Sequence, residues 1–272
     1  MCVDDFGMHA GVNAAAVQLA ARGRVQAASA LVGGPAWKRG VALLRSLGAD
    51  APEVGLHLDL TEFPCHPGMR FGLTGLVARA YGRGLDGAAL AQEIAAQLDA
   101  FEAAMGRAPD YVDGHQHVHQ LPMVRDALVA ELVRRYPLRR PWLRATRSPP
   151  WSAHGDGPTA CKSHVISLLG SRGLAQLARR SGLPQNGRLL GVYGFGGTAA
   201  QYRDRLQRWL ACARDGDLLM SHASLQSLPG DALAAARYNE YCVLDASTLD
   251  ALLEAAGVVL RPMGEILATP AP

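Results

Sequence analysis

The sequence predicts an α/β fold, an irregular TIM-like (β/α) barrel of about seven parallel strands whose first strand is truncated. Three observations carry this expectation. Short apolar segments bounded by Gly, Pro or Asp alternate with amphipathic helical patterns along nearly all 272 residues, the pattern of a mostly parallel sheet. Hydrophobic residues make up 49% of the chain against 19% charged, enough for one sizeable core. No repeat, low-complexity tract or linker-like stretch divides the chain, so residues 1–272 read as a single domain.

Met1 to Val3 can supply only the end of a strand leading into Asp4; a half-strand would expose a barrel edge, so either the chain starts earlier or something else covers that edge. Helical spacing follows over Val12 to Arg22 and stops at Gly23. Val25 to Val32 reads as a strand, Ala36 to Leu47 as a helix and Glu53 to Leu60 as the next strand. Phe63 to Gly87, rich in Gly, Pro and His, reads as a long loop covering a site. The helix over Leu90 to Met105 carries a stripe of Leu90, Ile94, Leu98, Phe101 and Met105, and stops at Gly106 and Pro109. A strand over Asp110 to Asp113, a helix over Met123 to Arg135 and a strand over Pro141 to Ala145 lead into a second long loop, Arg147 to Cys161. One helix then spans Val165 to Arg180 and closes at Gly182 and Pro184. Strands over Arg188 to Val192 and Asp217 to Ser221 flank a helix over Tyr202 to Ala213. A helix over Ser247 to Ala256 and a strand over Val258 to Arg261 end the pattern.

Composition excludes several classes. Of 27 basic residues only Lys38 and Lys162 are lysines, and neither sits in the Gly-Lys-Ser/Thr context of a phosphate-cradling P-loop. The net charge of +3 is small and dispersed, which argues against a nucleic-acid partner. Gly-x-Ser-x-Gly and His-Glu-x-x-His are both absent. The five cysteines are odd in number, widely spaced and never in Cys-x-x-Cys, so a reduced, cytoplasmic compartment is the simplest fit. No basic region precedes an apolar stretch, and no apolar run approaches the roughly 18 residues of a membrane span.

The chemistry concentrates at strand ends, where α/β barrels build active sites. His115, His117 and His119 follow the strand ending at Asp113, and alternation along an extended chain would place the three imidazoles on one side. His57 sits inside the apolar strand Gly55-Leu56-His57-Leu58, and Asp4 and Asp5 are adjacent carboxylates at the end of the first strand. A turn at Phe6-Gly7 can bring both carboxylates to one mouth. One carboxylate, His57 and one histidine of 115 to 119 would make a facial triad with open positions for water and substrate. His222 ends another strand, in Met220-Ser221-His222-Ala223. The stretch Gly191-Val192-Tyr193-Gly194-Phe195-Gly196-Gly197 lacks the dinucleotide-binding spacing and reads as a pocket loop, with Tyr193 or Phe195 stacking on a sugar face. Arg144 is placed to orient a carboxylate by a charge-assisted bond.

Four of these segments, in this order, resemble the YdjC-like carbohydrate deacetylases, also called the ChbG/HpnK deacetylases. They are Asp-Asp-Phe-Gly at 4–7, Ala-Ser-Ala-Leu-Val at 28–32, Gly-Leu-His-Leu-x-Leu-Thr at 55–61 and Asp-x-His-Gln-His-Val-His at 113–119. The resemblance implies metal-dependent removal of an acetyl group from an N-acetylated amino sugar, a chito-oligosaccharide or a glycolipid such as a hopanoid. It implies Asp5, His57 and His115 as ligands of one divalent ion, Mg or Zn before Mn or Co, with Asp4 as base and His222 as acid. Many relatives have Cys-His-Pro where this chain has Ser221-His222-Ala223. Arg144, Tyr193, Phe195, His117 and His119 are then expected on the substrate side, and a homodimer is compatible with the sequence. Two rival readings stand beside this one: a catalytically inactive sugar-binding protein of the same fold, and a non-haem Fe(II) oxygenase, which uses the same two-His, one-carboxylate set.

Overall fold

The computed structural model describes residues 1–226 and 230–268. Its sheet contains β1 (Cys2–Phe6), β2 (Ala27–Ala30), β3 (Glu53–Leu58), β4 (Tyr111–Gly114), β5 (Trp142–Leu143), β6 (Leu189–Leu190) and β7 (Leu218–Ser221). All pairings are parallel, in the order β5-β4-β3-β2-β1-β7-β6. The sheet curls until its two edges approach: Leu143 bridges Gln185, and the Leu189 amide donates to the Arg147 carbonyl at 2.8 Å. The expected irregular α/β barrel is therefore what the chain forms. Strands buried on both faces read as runs of apolar and small residues rather than as alternation, and β2 is wholly buried Ala-Ala-Ser-Ala.

The helices are α1 (Ala10–Ala21), α2 (Trp37–Ser46), α3 (Leu73–Tyr81), α4 (Gly87–Met105), α5 (Val124–Arg135), α6 (Gly157–Leu168), α7 (Ser171–Arg180), α8 (Ala199–Ala211), α9 (Ala234–Asp245), α10 (Thr248–Ala256) and α11 (Met263–Ala268). The apolar stripe of α4 packs inward, with Leu90, Ile94, Leu98 and Phe101 buried. Among the described residues no helix is long and apolar enough to cross a membrane.

The edge beside the first strand is covered: β1 pairs with β2 on one side and β7 on the other, and the Met1 carbonyl accepts from the amides of Gln26 and Ala27. Three sequence expectations are corrected. Val258 to Arg261 is not a strand. Val259 is 79% exposed, and the segment leads through Pro262 into α11, whose Met263 and Gly264 amides donate to the Glu53 carboxylate. The single helix over 165–180 is two helices, broken at Gly170. Its φ of +146° suits only glycine, and a Cβ there would strike the Gln120 carbonyl. The two long loops contain α3 and the start of α6, their helical spacing masked by Gly and Pro.

Candidate active site

The carboxyl ends of β1, β3, β4 and β7 and the segment that follows β6 converge on a cavity of about 890 Å³. Asp4 and Asp5 would leave an extended strand on opposite faces. Asp5 instead takes a left-handed backbone, φ 65°, where the pairing of β1 with β2 shifts register between Val3 and Phe6. That strained residue turns both carboxylates into the cavity, the kind of local cost that clusters at functional sites.

Asp5 Oδ1 lies 2.9 Å from His115 Nδ1 and 3.4 Å from His57 Nε2. The three residues offer ligand atoms all within 4.8 Å of one another. The opposite nitrogen of His57, Nδ1, is 2.6 Å from Asp113 Oδ1, the carboxylate–histidine arrangement that fixes a ligating imidazole and leaves Nε2 free. Asp113 Oδ2 accepts from Ser29 Oγ at 2.7 Å and pairs with Arg144 Nη2 at 2.6 Å. Asp5 Oδ2 accepts from Arg237 Nη2 at 2.8 Å.

Arg144 donates to both oxygens of Asp4, at 2.6 and 2.7 Å. Burial alone would raise the Asp4 carboxyl; the guanidinium outweighs it and holds the group well below the usual carboxylate range. Burial likewise opposes a charge on His57, yet the carboxylates of Asp113 and Asp5 push it up to about 10. Three buried carboxylates, Asp4, Asp5 and Asp113, face two buried guanidiniums, Arg144 and Arg237. The donor set of one carboxylate oxygen and two imidazole nitrogens fits a divalent cation, which would take the place of the protons on those imidazoles.

His222 follows β7, the strand that pairs with β1, and lines the cavity. Its amide donates to Glu240 Oε2, and its ring stands at 90° to Phe195 with centroids 4.9 Å apart. Its Nδ1 has no partner among the described residues, and burial pushes its pKa down to about 4. Phe195, itself left-handed at φ 58°, carries the Lys162 ammonium 4.4 Å above its ring. Tyr193 presents its ring to the cavity while its hydroxyl donates to Glu240 Oε1 at 2.6 Å.

Of the residues expected on the substrate side, Tyr193, Phe195 and His117 line the cavity, and Arg144 and His119 do not. Arg144 is fully buried and pairs with Asp4 and Asp113, as a residue placed to orient carboxylates would. His119 is also fully buried, with Nε2 2.9 Å from the Arg144 carbonyl. The extended-chain alternation fails because Gln116 and His117 have φ of 52° and 61° and make a turn. His115 and His117 face the cavity and His119 folds back behind it. The sequence reading assigned no role to Asp113, Ser29, Lys162, Arg237 or Glu240. Asp113 and Ser29 lie inside the recognised segments; Arg237 and Glu240 are one turn apart on a helix that the sequence spacing did not show.

The model of the YdjC-like protein family matches residues 1–255. A human carbohydrate deacetylase is 30% identical over 297 aligned positions, covering 97% of this chain and 89% of its own. A chitooligosaccharide deacetylase of Escherichia fergusonii is 33% identical over 127 positions, 44% of this chain and 50% of its own. In fold, the chain matches the crystal structure of an Enterococcus faecalis protein described as a candidate for cellobiose-phosphate cleavage. That match has a TM-score of 0.68 at 19% identity, over 98% of this chain and 97% of the other. The chain belongs to the YdjC-like family.

Proposed function

We propose that this chain is a metal-dependent carbohydrate N-deacetylase, hydrolysing the acetamide of an N-acetylated amino sugar to acetate and the free amine. The observation that carries the reading is the placement of the Asp5, His57 and His115 ligand atoms beside Asp4, on one cavity that His222 also lines. Asp5 Oδ1, His57 Nε2 and His115 Nδ1 would hold the ion. Two imidazole nitrogens favour Zn, Mn or Co over Mg, which prefers oxygen ligands. When bound, the ion supplies Lewis acidity, lowering the pKa of water toward about 7 and offsetting charge that develops on the acyl oxygen.

The chain's own residues do the rest. Asp4, kept ionised by Arg144, accepts the proton of the attacking water as the new C–O bond forms. Burial keeps His222 neutral at rest, so it has no proton of its own to give. Negative charge growing at the acyl centre offsets that penalty; His222 then takes up the proton that Asp4 received and passes it to the departing nitrogen as the C–N bond breaks. Each proton transfer is worth roughly 10²–10⁴-fold.

Chito-oligosaccharides are the first substrates to test, following the name of the Escherichia relative. A glycolipid bearing the same acetamide is a second class, favoured by Leu73, Val77, Ile166 and Leu169 in the cavity wall. An iron oxygenase would use the same triad, but the ionised Asp4 held by Arg144 is a base with no evident task in that chemistry. An inactive sugar-binding protein has no need of the buried Arg144–Asp4 pair, a costly arrangement to maintain. The test is Asp4→Asn beside Asp5→Ala. The first should retain metal and lose about 10²–10⁴-fold in turnover; the second should lose both. A fully active D4N protein would refute the assignment.

A further inference from the structure

Arg237 is an arginine with almost no access to solvent, 2% exposed, whose polar contacts all lie at the site. Its Nη2 donates to Asp5 Oδ2 at 2.8 Å and approaches Met8 Sδ at 3.5 Å. Its Nη1 donates to the His222 carbonyl at 3.3 Å, and its Nε to Asp231 Oδ2 at 2.9 Å. One side chain thus touches the carboxylate placed to bind metal, the main chain of the residue placed to move the second proton, and a carboxylate on the cavity rim. One turn along α9, Glu240 accepts the His222 amide, so both main-chain polar atoms of His222 are gripped from the same helix.

The two oxygens of Asp5 are sorted by this contact. Oδ2 is committed to the guanidinium, which leaves Oδ1 as the oxygen facing His57 Nε2 and His115 Nδ1. A carboxylate free to rotate would spread its population over one-oxygen and two-oxygen arrangements; a fixed guanidinium removes that freedom before the ion arrives, and Asp231 fixes the guanidinium in turn. The same fork sets the spacing between Asp5 on β1 and His222 after β7. These strands pair only at Cys2 with Met220 and Val3 with Ser221, short of both functional residues.

We infer that Arg237 is a positioning residue that holds Asp5 as a one-oxygen metal ligand and keeps His222 at a fixed distance from it, with Asp231 as its anchor. The inference rests on the metal-binding part of the proposed function and goes beyond it. Outer contacts to metal ligands are typically worth 10–100-fold in metal affinity.

Zn²⁺ affinity of the purified full chain, measured by competition with a chromophoric chelator, tests this without any turnover. R237Q should weaken Zn²⁺ binding by about 10–100-fold while R237K recovers part of the loss, and D231N should fall between wild type and R237Q. With Zn²⁺ saturating, R237Q should lower kcat more than it raises KM, because His222 is displaced while the cavity wall persists. A folded R237Q protein with unchanged or tighter Zn²⁺ binding overturns the inference, since charge repulsion would then outweigh positioning. Should R237Q fail to fold, D231N alone decides, and wild-type Zn²⁺ affinity in that variant overturns it. Wild-type protein that binds Zn²⁺ but deacetylates nothing would defeat the proposed activity and leave the Kd comparison standing.

Discussion

Replacing Asp113 with Asn changes one atom and should loosen the metal site from outside it. Asp113 Oδ1 faces His57 Nδ1 at 2.6 Å, while Oδ2 faces both Arg144 Nη2 and Ser29 Oγ. Asn offers one acceptor oxygen for these two sides. The Arg144 side carries the full charge and keeps the oxygen, so the new amide N–H group points at His57 Nδ1. His57 must then place its own hydrogen on Nε2, closing the lone pair aimed at Asp5. A lost outer contact of this kind weakens metal binding by roughly 10–100-fold, or about 1.4–2.7 kcal/mol. Arg144 retains both oxygens of Asp4, so no charge is orphaned and the stability cost should stay near about 1–3 kcal/mol. Isothermal titration of Zn²⁺ into wild type and D113N reads the first quantity, and thermal unfolding of the two metal-free proteins the second. A D113N protein that binds Zn²⁺ as tightly as wild type would show that His57 is not oriented through Asp113.

Other perturbations have equally definite outcomes. In Arg144→Ala, Asp4 loses the guanidinium that holds its carboxyl down, so burial raises it; the acidic limb of the pH–rate profile should move to higher pH, and an unmoved limb would separate Asp4 from the base role. Glu240, fully buried, is pushed by burial from 4.5 up to about 7, so the folded state favours its neutral form. That contribution, about 3 kcal/mol, is fully present below pH 4.5 and is lost as pH rises through 7; E240Q, which mimics the neutral acid, should flatten the stability curve over that window when unfolded by urea. Gly170→Ala forces a side chain into φ +146° against the Gln120 carbonyl and should cost at least about 1–3 kcal/mol, read as a fall in Tm of several degrees.

Much of this architecture was legible because its determinants are local. Leu90, Ile94, Leu98 and Phe101 recur at helical spacing, and short apolar strands between such helices leave few arrangements other than a parallel sheet. The histidines and aspartates of the site stand at strand ends, so sequence position and barrel geometry together placed Asp4, Asp5, His57, His115 and His222 on one mouth. What escaped was set by backbone conformations that residue type does not announce. Among the non-glycine residues at positive φ, Asp5, Gln116, His117 and Phe195 stand at the cavity, and they decide which side chains reach it. Tertiary pairing hid the rest: a carboxylate partner for Arg144 could be expected, but nothing local shows that it is buried under two of them, Asp4 and Asp113. Arg237 and Glu240 sit on a helix whose alanines give no clear stripe. What covers the edge of β1 was also not local: five residues are enough for a strand when both neighbours supply partners.

Under the proposed function, acetate release depends on an ion held by Asp5, His57 and His115. Acetate should therefore be quantified from N-acetylglucosamine oligomers and an N-acetylglucosaminyl lipid, with Zn²⁺-loaded wild type, chelator-treated wild type and Asp5→Ala in parallel. The account predicts one acetate per free amine formed with the loaded protein on at least one substrate, loss on chelation, recovery on adding Zn²⁺ back, and no release by D5A. Acetate release that survives both chelation and D5A would contradict it.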